Sequence, residues 1–395
     1  MTLHYEFPEI RHLNDVLPHI EGRSEFIRVD KSGGYTVINY VFQTGDTFPP
    51  VYGEEAAILR ECRGIIFDTA SGHILSRRFH KFFNLGERPD TTEIDVSKPH
   101  HVLDKLDGSM VSPLRVGGGI RWISKMGITD VSMQVETFVV SHPEYEHFAE
   151  ICLTVGKTPI FEWMSRENRI VLDYGEDKLT LIAERDNVTG HYTPRDIMCD
   201  LAEEYGLPLV ETVSTSLSSI GQFVEELSRK EGIEGVVITF DDGHMIKVKT
   251  DWYVQLHRAK DQISRERHLI ALILDNKLDD LLPALPEDDR DRVLRFSSAI
   301  SHDLSTFGTL VHETITRIRS DGWDRKTFAL NSENYNPALR SCCFQLFDMA
   351  LSDIAQQATQ WGRNFVARNL GSPGAMEKAR GILLTTKWEE KELVE

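Results

Sequence analysis

One short segment of the sequence combines the residue types needed for covalent chemistry: Lys105-Leu106-Asp107-Gly108-Ser109. The residues before it are apolar and predict a strand, so Lys105 and Asp107, two positions apart, are expected on one face of that strand. Gly108 would let the backbone approach a ligand closely, and Ser109 adds a hydroxyl. An unprotonated lysine amine is a nucleophile. Taken alone, the segment is equally compatible with an ordinary turn at Asp-Gly.

Further charged residues lie in or beside other predicted strands. Glu162 interrupts the apolar run 159–163, where a carboxylate needs a partner such as a ribose hydroxyl, a metal ion or a cation. Glu234 opens another apolar strand. Lys247 and Lys249 are two residues apart, so a strand would point both toward one face, and a triphosphate between them would relieve their repulsion. Two more cations adjoin predicted strands, namely Arg63 and Lys125.

The apolar pattern that must position these residues changes near residue 250. Before it, β-branched and aromatic runs predict mainly short strands, with helices at 197–205 and 220–229. The predicted strands are 35–42, 64–68, 74–79, 114–116, 120–123, 159–163, 178–183 and a hairpin over 235–250. After residue 251, apolar residues recur at three and four positions, which predicts helices. The sequence therefore predicts an α+β fold, with a mixed antiparallel-sheet domain over 1–254 and a separate all-helical domain over 255–395.

Composition limits the class of protein. The 395 residues are 41% hydrophobic and carry a formal net charge of −18, which excludes a general DNA-coating protein. Any contact with a nucleic acid would be confined to a local basic surface, for which the candidates are Arg77, Arg78, Arg258 and Lys260. Five cysteines without zinc-type spacing fit a reducing cytoplasm. The acidic N-terminus is unlike a signal peptide and the longest apolar run, 269–274, is short, so we expect no membrane partner.

The order Lys-x-Asp-Gly, Glu, Glu-Gly and Lys-x-Lys resembles the covalent nucleotidyltransferases, which are ATP-dependent DNA ligases, RNA ligases and capping enzymes. Local sequences narrow the resemblance to the phage-type ATP-dependent RNA ligase 1 family. They are ECRGI at 61–65, KFFN at 81–84, KLDGS at 105–109, ENRIV at 167–171, LTLIAERDNVTG at 179–190 and KVKTDWYVQLH at 247–257. The resemblance covers roughly the first 260 residues, and a helical C-terminal domain also fits this family.

The resemblance implies an enzyme that works through a lysyl-AMP intermediate. Lys105 would attack the α-phosphorus of ATP and release pyrophosphate. AMP would then pass to the 5′-phosphate of an RNA end, and a 3′-hydroxyl would displace it to seal the strand. Because a free lysine has a pKa of about 10.4, we expect Lys247, Lys249 and a bound Mg²⁺ or Mn²⁺ to lower the pKa of Lys105.

The family pattern also assigns the positive side chains to the nucleotide. The residues expected to hold the β- and γ-phosphates are Arg63, Lys81 and Lys125. Lys247 and Lys249 are expected to orient the α-phosphate and the leaving pyrophosphate. This arrangement would place charge where phosphoryl transfer develops it.

The acidic side chains receive different roles from the resemblance. Glu162 would accept a hydrogen bond from the AMP ribose, and Glu234 would bind the metal directly or through water. Asp107 would position the nucleophile. The acidic pair Asp279-Asp280 resembles a metal-binding pair of the family, although such pairs are common on helix surfaces.

Several alternatives stay open. Tyr253, four residues after Lys249, would contact the nucleotide or substrate, or would only pack within a helix. A DNA-nick ligase or a GTP-using capping-type enzyme is the nearest enzymatic alternative, but both usually carry an OB-fold where helices are predicted here. An inactive RNA-end-binding module is the alternative from another class. For an RNA ligase, the family implies RNA repair by a monomer, with nicked tRNA as a substrate, in the cytoplasm of a bacteriophage-infected host.

Overall fold

The computed structural model describes residues 6–51, 53–167 and 170–389. The chain divides into two compact units on either side of residues 254 and 255. We call residues 6–254 the strand-rich unit and residues 255–389 the helical unit. Among the described helices, none combines the length and the apolar character needed to cross a membrane.

Within the described residues, all strands lie in the strand-rich unit. In chain order they are β1 (Phe26–Lys31), β2 (Tyr35–Tyr40), β3 (Arg63–Asp68), β4 (Ile74–Ser76), β5 (Phe83–Asn84), β6 (His100–Asp104), β7 (Ser109–Val116), β8 (Gly119–Ile123), β9 (Lys157–Met164), β10 (Lys178–Asp186), β11 (Thr212–Ser214), β12 (Gly235–Phe240) and β13 (Met245–Lys249).

These strands form separate sheets. The first sheet has the order β1-β2-β3-β4, the second β10-β9-β7-β8 and the third β11-β6-β12-β13-β5. Pairing is antiparallel throughout the described strands except for β5, which runs parallel to β13. β7 pairs with β9, and β12 lies between β6 and β13. Residues that are far apart in sequence therefore meet at the ends of neighbouring strands.

Helices occur in both units. In chain order they are α1 (Leu17–Ile20), α2 (Glu54–Glu61), α3 (Asp130–Val140), α4 (Pro143–Thr154), α5 (Arg195–Tyr205), α6 (Ile220–Ser228), α7 (Asp251–Ser264), α8 (Glu266–Leu274), α9 (Leu278–Leu281), α10 (Glu287–Ser320), α11 (Arg325–Asn331), α12 (Pro337–Leu346), α13 (Leu351–Arg368) and α14 (Pro373–Ala379). The predicted α+β fold class, with sheets followed by helices, is confirmed.

The helical unit is built around the long helix α10. Its apolar face, which includes Ile300, Phe307 and Val311, packs into the core of this unit. Gly308 allows α13 to approach closely, because a Cβ atom there would lie 2.6 Å from the carbonyl oxygen of Ala355. The spacing of apolar residues at three and four positions thus led to the right secondary structure.

The strand prediction is wrong where the chain leaves β4. A strand was expected over 74–79, but β4 ends at Ser76. The N–H of Arg77 donates instead to Thr158 Oγ1 and Asn187 Oδ1, each at 3.2 Å. Side chains have therefore replaced the strand partner that would have extended the ladder. The sequence reading also missed α2, α3 and α4.

The side chain of Arg77 belongs to a fully buried ion network. Arg77 lies 3.1 Å from one carboxylate oxygen of Glu61, and Arg185 lies 2.7 Å from the other. Burial would raise the pKa of Glu61, but the two guanidinium groups outweigh it and lower that pKa to about 2. The prediction that Arg77 contributes to an RNA-binding surface is therefore wrong.

Two other candidates for that surface are also buried. Arg78 donates to the backbone carbonyls of Gly64 and Ser124. Lys260 is 8% exposed, and its Nζ lies 3.6 Å from a carboxylate oxygen of Asp289. The prediction is wrong for Arg78 and Lys260 because a positive side chain used inside the fold cannot also meet a phosphate at the surface. Arg258 is exposed and stays a prediction.

Candidate active site

The ends of three strands of the third sheet place Lys105, the predicted nucleophile, near Glu234 and Lys249. β6 ends at Asp104, and the next residue, Lys105, donates its backbone N–H to the carbonyl of Gly235 at the start of β12 (3.0 Å). Lys105 Nζ lies 2.6 Å from Glu234 Oε1. Lys249 Nζ, at the end of β13, lies 3.0 Å from the same oxygen. A single carboxylate, 3% exposed, thus joins two lysines, one directly after β6 and one at the end of β13, the strands on either side of β12.

Asp107 faces a different group of partners from Lys105. The strand ends before Lys105, so the expectation that the two side chains share a strand face is wrong. The Asp107 carboxylate accepts hydrogen bonds from the backbone N–H groups of Val171 (2.8 Å) and Leu172 (2.6 Å) and from the hydroxyl of Tyr253 (2.6 Å). Asp107 is 4% exposed. Its carboxylate therefore links the nucleophile segment to Val171, Leu172 and Tyr253 inside the fold.

Glu162 lies on β9, which pairs with β7 directly after the nucleophile segment. Its Oε1 accepts a hydrogen bond from the backbone N–H of Gly108 at 3.1 Å. Burial, reinforced by the carboxylates of Glu234 and Asp107 and opposed by Lys105, raises the pKa of Glu162 to about 7. Glu162 is therefore close to its titration midpoint at neutral pH.

The positive side chains gather around Lys247. Burial lowers the pKa of Lys247 well below its usual value, and neighbouring cations lower it further. Those cations are Arg63, Lys105, Lys81 and Lys249. Lys247 Nζ also lies 4.8 Å from the centre of the Phe82 ring. The predicted phosphate-binding residues thus lie close enough to repel one another, which favours an anionic ligand among them.

Tyr40, at the end of β2, lies beside two lysines predicted to bind phosphate, Lys81 and Lys125. Lys81 Nζ is 3.2 Å from its hydroxyl and 4.9 Å from its ring centre, and Lys125 Nζ is 4.8 Å from the same centre. Burial raises the pKa of Tyr40, but Lys81, Lys125 and Arg63 outweigh burial and lower it. Sequence reasoning missed this residue, because an aromatic side chain at a strand end carries no local signal of a site.

The acid–base state of Lys105 differs from the expectation. Burial acts to lower its pKa, but the carboxylates of Glu234 and Glu162 outweigh burial and raise it. The expectation that positive neighbours lower the pKa of Lys105 is therefore wrong for this structure, because its nearest charged partner is a carboxylate. The Lys105 side chain is only 21% exposed, so it does not face open solvent.

Two further predicted residues belong to the helical unit. Asp279 and Asp280 are exposed on the short helix α9 of the helical unit. Within 6–51, 53–167 and 170–389, no three His, Cys, Asp or Glu side chains are placed to hold a metal ion. The metal roles of Asp279, Asp280 and Glu234 stay predictions. Asn168 and Arg169 of the ENRIV sequence lie outside the described residues.

Comparisons with known proteins show which proteins this chain resembles. A family model described as RNA ligase matches residues 61–253, which include the cluster from Arg63 to Tyr253. A putative RNA ligase of Thermovibrio ammonificans is 29% identical over 322 residues, which are 78% of this chain and 82% of that protein. The chain is thus similar to RNA ligases over most of its length, and the resemblance that its sequence indicated is confirmed.

Two viral relatives are also similar to this chain. RNA ligase 1 of bacteriophage TS2126 is 27% identical over 261 residues, covering 64% of this chain and 63% of the phage protein. A putative bifunctional polynucleotide kinase/RNA ligase of Autographa californica nuclear polyhedrosis virus is 23% identical over 310 residues. That match covers 72% of this chain but 41% of the viral protein. The enzyme class expected from the sequence, an RNA ligase, is thus confirmed.

Proposed function

We propose that this RNA ligase uses ATP to form lysyl-AMP at Lys105 and then seals RNA ends. One observation carries the proposal: the Nζ of Lys105 lies against Glu234, beside a group of lysines and an arginine that repel one another. A lysine in such surroundings suits attack on a phosphate, since the cations can stabilise the charge that develops. The similarity of the chain to RNA ligases supports the same reaction class.

The residues around Lys247 fit the triphosphate of ATP. Arg63, Lys81 and Lys125 would hold the β- and γ-phosphates, with Tyr40 fixing the two lysines between which it lies. Burial is the largest cause of the lowered pKa of Lys247 and the neighbouring cations add to it; a polyphosphate would neutralise their positive charge. We therefore assign the α-phosphate and the leaving pyrophosphate to Lys247 and Lys249.

A divalent ion would add positive charge where pyrophosphate departs, and Mg²⁺ or Mn²⁺ would serve. Among the described residues, Glu234 is the carboxylate best placed to receive it, because it already binds two ammonium groups. No protein cage of three acidic or histidine ligands is present in the described chain. The nucleotide phosphates would therefore supply the other ligands, as is usual for Mg²⁺.

Glu234 would also control the proton on Lys105. While Glu234 faces Lys105, it stabilises the ammonium form, which cannot attack phosphorus. Once another cation neutralises Glu234, burial acts on Lys105 with less opposition and favours the neutral amine. The Nζ–P bond then forms as the bond between the α-phosphorus and pyrophosphate breaks, and the amine proton is released.

The later steps would use the RNA ends. AMP would move from Lys105 to a 5′-phosphate, and a 3′-hydroxyl would then displace AMP to form the phosphodiester. One relative is named as a polynucleotide kinase joined to an RNA ligase, and a kinase produces 5′-phosphates, which supports this polarity of ends. We extend the proposal to repair of nicked tRNA by a cytoplasmic monomer, with the helical unit contributing to the choice of RNA.

Incubation with α-labelled ATP and Mg²⁺ or Mn²⁺ tests the covalent step. The wild-type chain should form an acid-labile protein–AMP adduct, and Lys105→Ala should form none. Lys178→Ala, which changes an exposed lysine at the start of β10, is the matched control and should label normally. An undiminished adduct in Lys105→Ala would end the assignment.

A second assay separates the substrate classes. The chain should seal single-stranded RNA that carries a 5′-phosphate and a 3′-hydroxyl, and it should prefer ATP to GTP. Sealing of nicked DNA with no activity on RNA, or labelling by GTP alone, would instead favour the DNA-ligase or capping-type alternative. Adduct formation of any kind would exclude an inactive RNA-binding module.

A further inference from the structure

The connection between β9 and β10 contacts the nucleophile loop, residues 105–108, through a residue that no motif singles out. The hydroxyl of Tyr174 accepts a hydrogen bond from the backbone N–H of Asp107 at 2.8 Å. The same connection supplies the N–H groups of Val171 and Leu172, which donate to the Asp107 carboxylate. Asp107 is therefore held by this segment through both its backbone and its side chain.

Both carboxylate oxygens of Asp107 accept hydrogen bonds from other parts of the chain. One oxygen accepts from Val171 and Leu172, and the other accepts from the hydroxyl of Tyr253. Because Asp107 is 4% exposed, no substrate group can reach it without displacing these donors. Asp107 thus acts as the point at which the nucleophile loop is attached to two other parts of the chain.

The backbone of the loop depends on side-chain acceptors. The N–H of Asp107 binds Tyr174, and the next N–H, that of Gly108, binds Glu162. On the β9 side the loop cannot move closer, since a Cβ atom at Gly108 would lie 2.4 Å from the carbonyl oxygen of Trp163. Loss of the acceptor for Asp107 would therefore free the loop where it meets the connection between β9 and β10.

We propose that Tyr174 is a positioning residue for the reaction: its hydroxyl holds the Asp107 amide and thereby keeps Lys105 aligned with the phosphorus it attacks. This inference rests on the proposed function. Tyr174 itself lies at the rim of the site, 36% exposed, and its pKa is raised above the usual value by burial and by the carboxylates of Asp107, Asp104 and Glu162. The hydroxyl is thus kept in its neutral form.

The proposal predicts an effect that depends on the reaction step. Formation of lysyl-AMP and transfer of AMP from Lys105 both make or break a bond to the Lys105 nitrogen, so both require its alignment. Sealing of an RNA end that already carries AMP makes no bond to Lys105. A loop that has shifted should therefore slow the first two steps much more than the third, with little change in ATP binding.

The test compares Tyr174→Phe with the wild-type chain in single-turnover assays. We expect the adenylylation rate constant to fall about tenfold or more, with the KM for ATP unchanged within about twofold. Sealing of chemically pre-adenylylated RNA should stay within about threefold of wild type. The matched control is Tyr145→Phe, which removes a hydroxyl bonded to the backbone carbonyl of Leu179 (2.7 Å) and should leave the adenylylation rate unchanged.

Each result separates this inference from the proposed function. If the wild-type chain forms the AMP adduct and Tyr174→Phe forms it at the same rate, the positioning role is overturned. Equal losses in adenylylation and in sealing of pre-adenylylated RNA would also overturn it, since they would indicate general damage to the unit. Absence of an adduct in the wild-type chain would contradict the proposed function, and the inference would fall with it.

Discussion

At the scale of single residues, Glu234 determines the charge state of the nucleophile. One of its carboxylate oxygens, Oε1, lies 2.6 Å from Lys105 Nζ and 3.0 Å from Lys249 Nζ, and the Glu234 side chain is buried. Two ammonium groups compete for this carboxylate, so a change in either partner alters the other. The Glu234 carboxylate thus favours the protonated form of Lys105, and activation would need a new partner for Glu234.

Substitution of Glu234 should separate the reactivity of the amine from catalysis. In Glu234→Gln the carboxylate that raises the pKa of Lys105 is absent, so acetic anhydride at pH 8 should acetylate Lys105 several-fold faster without ATP. Adenylylation should nevertheless fall on the order of a hundredfold, because the carboxylate proposed to bind the metal would be lost. Mass spectrometry of the Lys105 peptide measures the first effect. Slower acetylation than in wild type would contradict this role, and exposed Glu150→Gln is the control.

The raised pKa of Glu162 makes a prediction about stability and pH. A carboxyl whose pKa is about 7 in the fold, against the usual 4.5, destabilises the folded state once pH rises above about 4.5, and fully so above about 7. Glu162→Gln keeps the acceptor for Gly108 but removes the charge. The unfolding free energy of this variant minus that of wild type should therefore be about 1–3 kcal/mol larger at pH 8 than at pH 5. Urea unfolding at both pH values checks this, and a gain that is equal at the two would refute it.

At the scale of elements, the site depends on the close pairing of β12 with β13. Gly235, the first residue of β12, has a φ of +153°. A Cβ atom there would lie 2.1 Å from the carbonyl oxygen of Val248 and 2.7 Å from the Cα of Lys249. The glycine therefore sets how near Glu234 and Lys249 can come.

A side chain at position 235 should separate these two strands locally. In Gly235→Ala the clash involves backbone atoms, so Lys249 and the neighbouring Glu234 must move apart. We expect adenylylation to fall at least tenfold and stability to fall by about 1–3 kcal/mol. Gly118→Ala is the control, since Gly118 also has a positive φ but its Cβ would meet open space. A Gly235→Ala variant as active as Gly118→Ala would show that the pairing is not critical.

The strands that carry Glu162, Lys247 and Lys249, and the strand that directly follows Glu234, were predictable, because each charged residue interrupts or adjoins an apolar run that is local in sequence. Tyr40 and Tyr174 were not, since their roles arise only when a strand end or a connection meets a distant loop. The direction of the Lys105 pKa shift was missed for the same reason. It depends on the distance to Glu234, which lies far away in sequence and is fixed by the pairing of β6 with β12.

At the scale of the whole molecule, acidic side chains outnumber basic ones, and several basic side chains are buried inside the fold. The chain has a net charge of −18, and Arg77, Arg78 and Arg185 are used inside the strand-rich unit. Among the described residues, the positive groups around Lys247 also lie near one another, at the predicted nucleotide site. An RNA strand would therefore find a short basic contact within an acidic surface, and its affinity would come from few phosphates.

The salt dependence of RNA binding measures the size of that contact. Each neutralised phosphate of a single strand contributes about −0.7 to the slope of log K against log salt concentration. A contact with about three or four phosphates should give a slope of about −2 to −3. Fluorescence anisotropy with a labelled single-stranded RNA, in EDTA to prevent reaction and with KCl from about 50 to 300 mM, measures this slope. A slope steeper than about −6 would require an extended basic surface and would contradict the local contact proposed here.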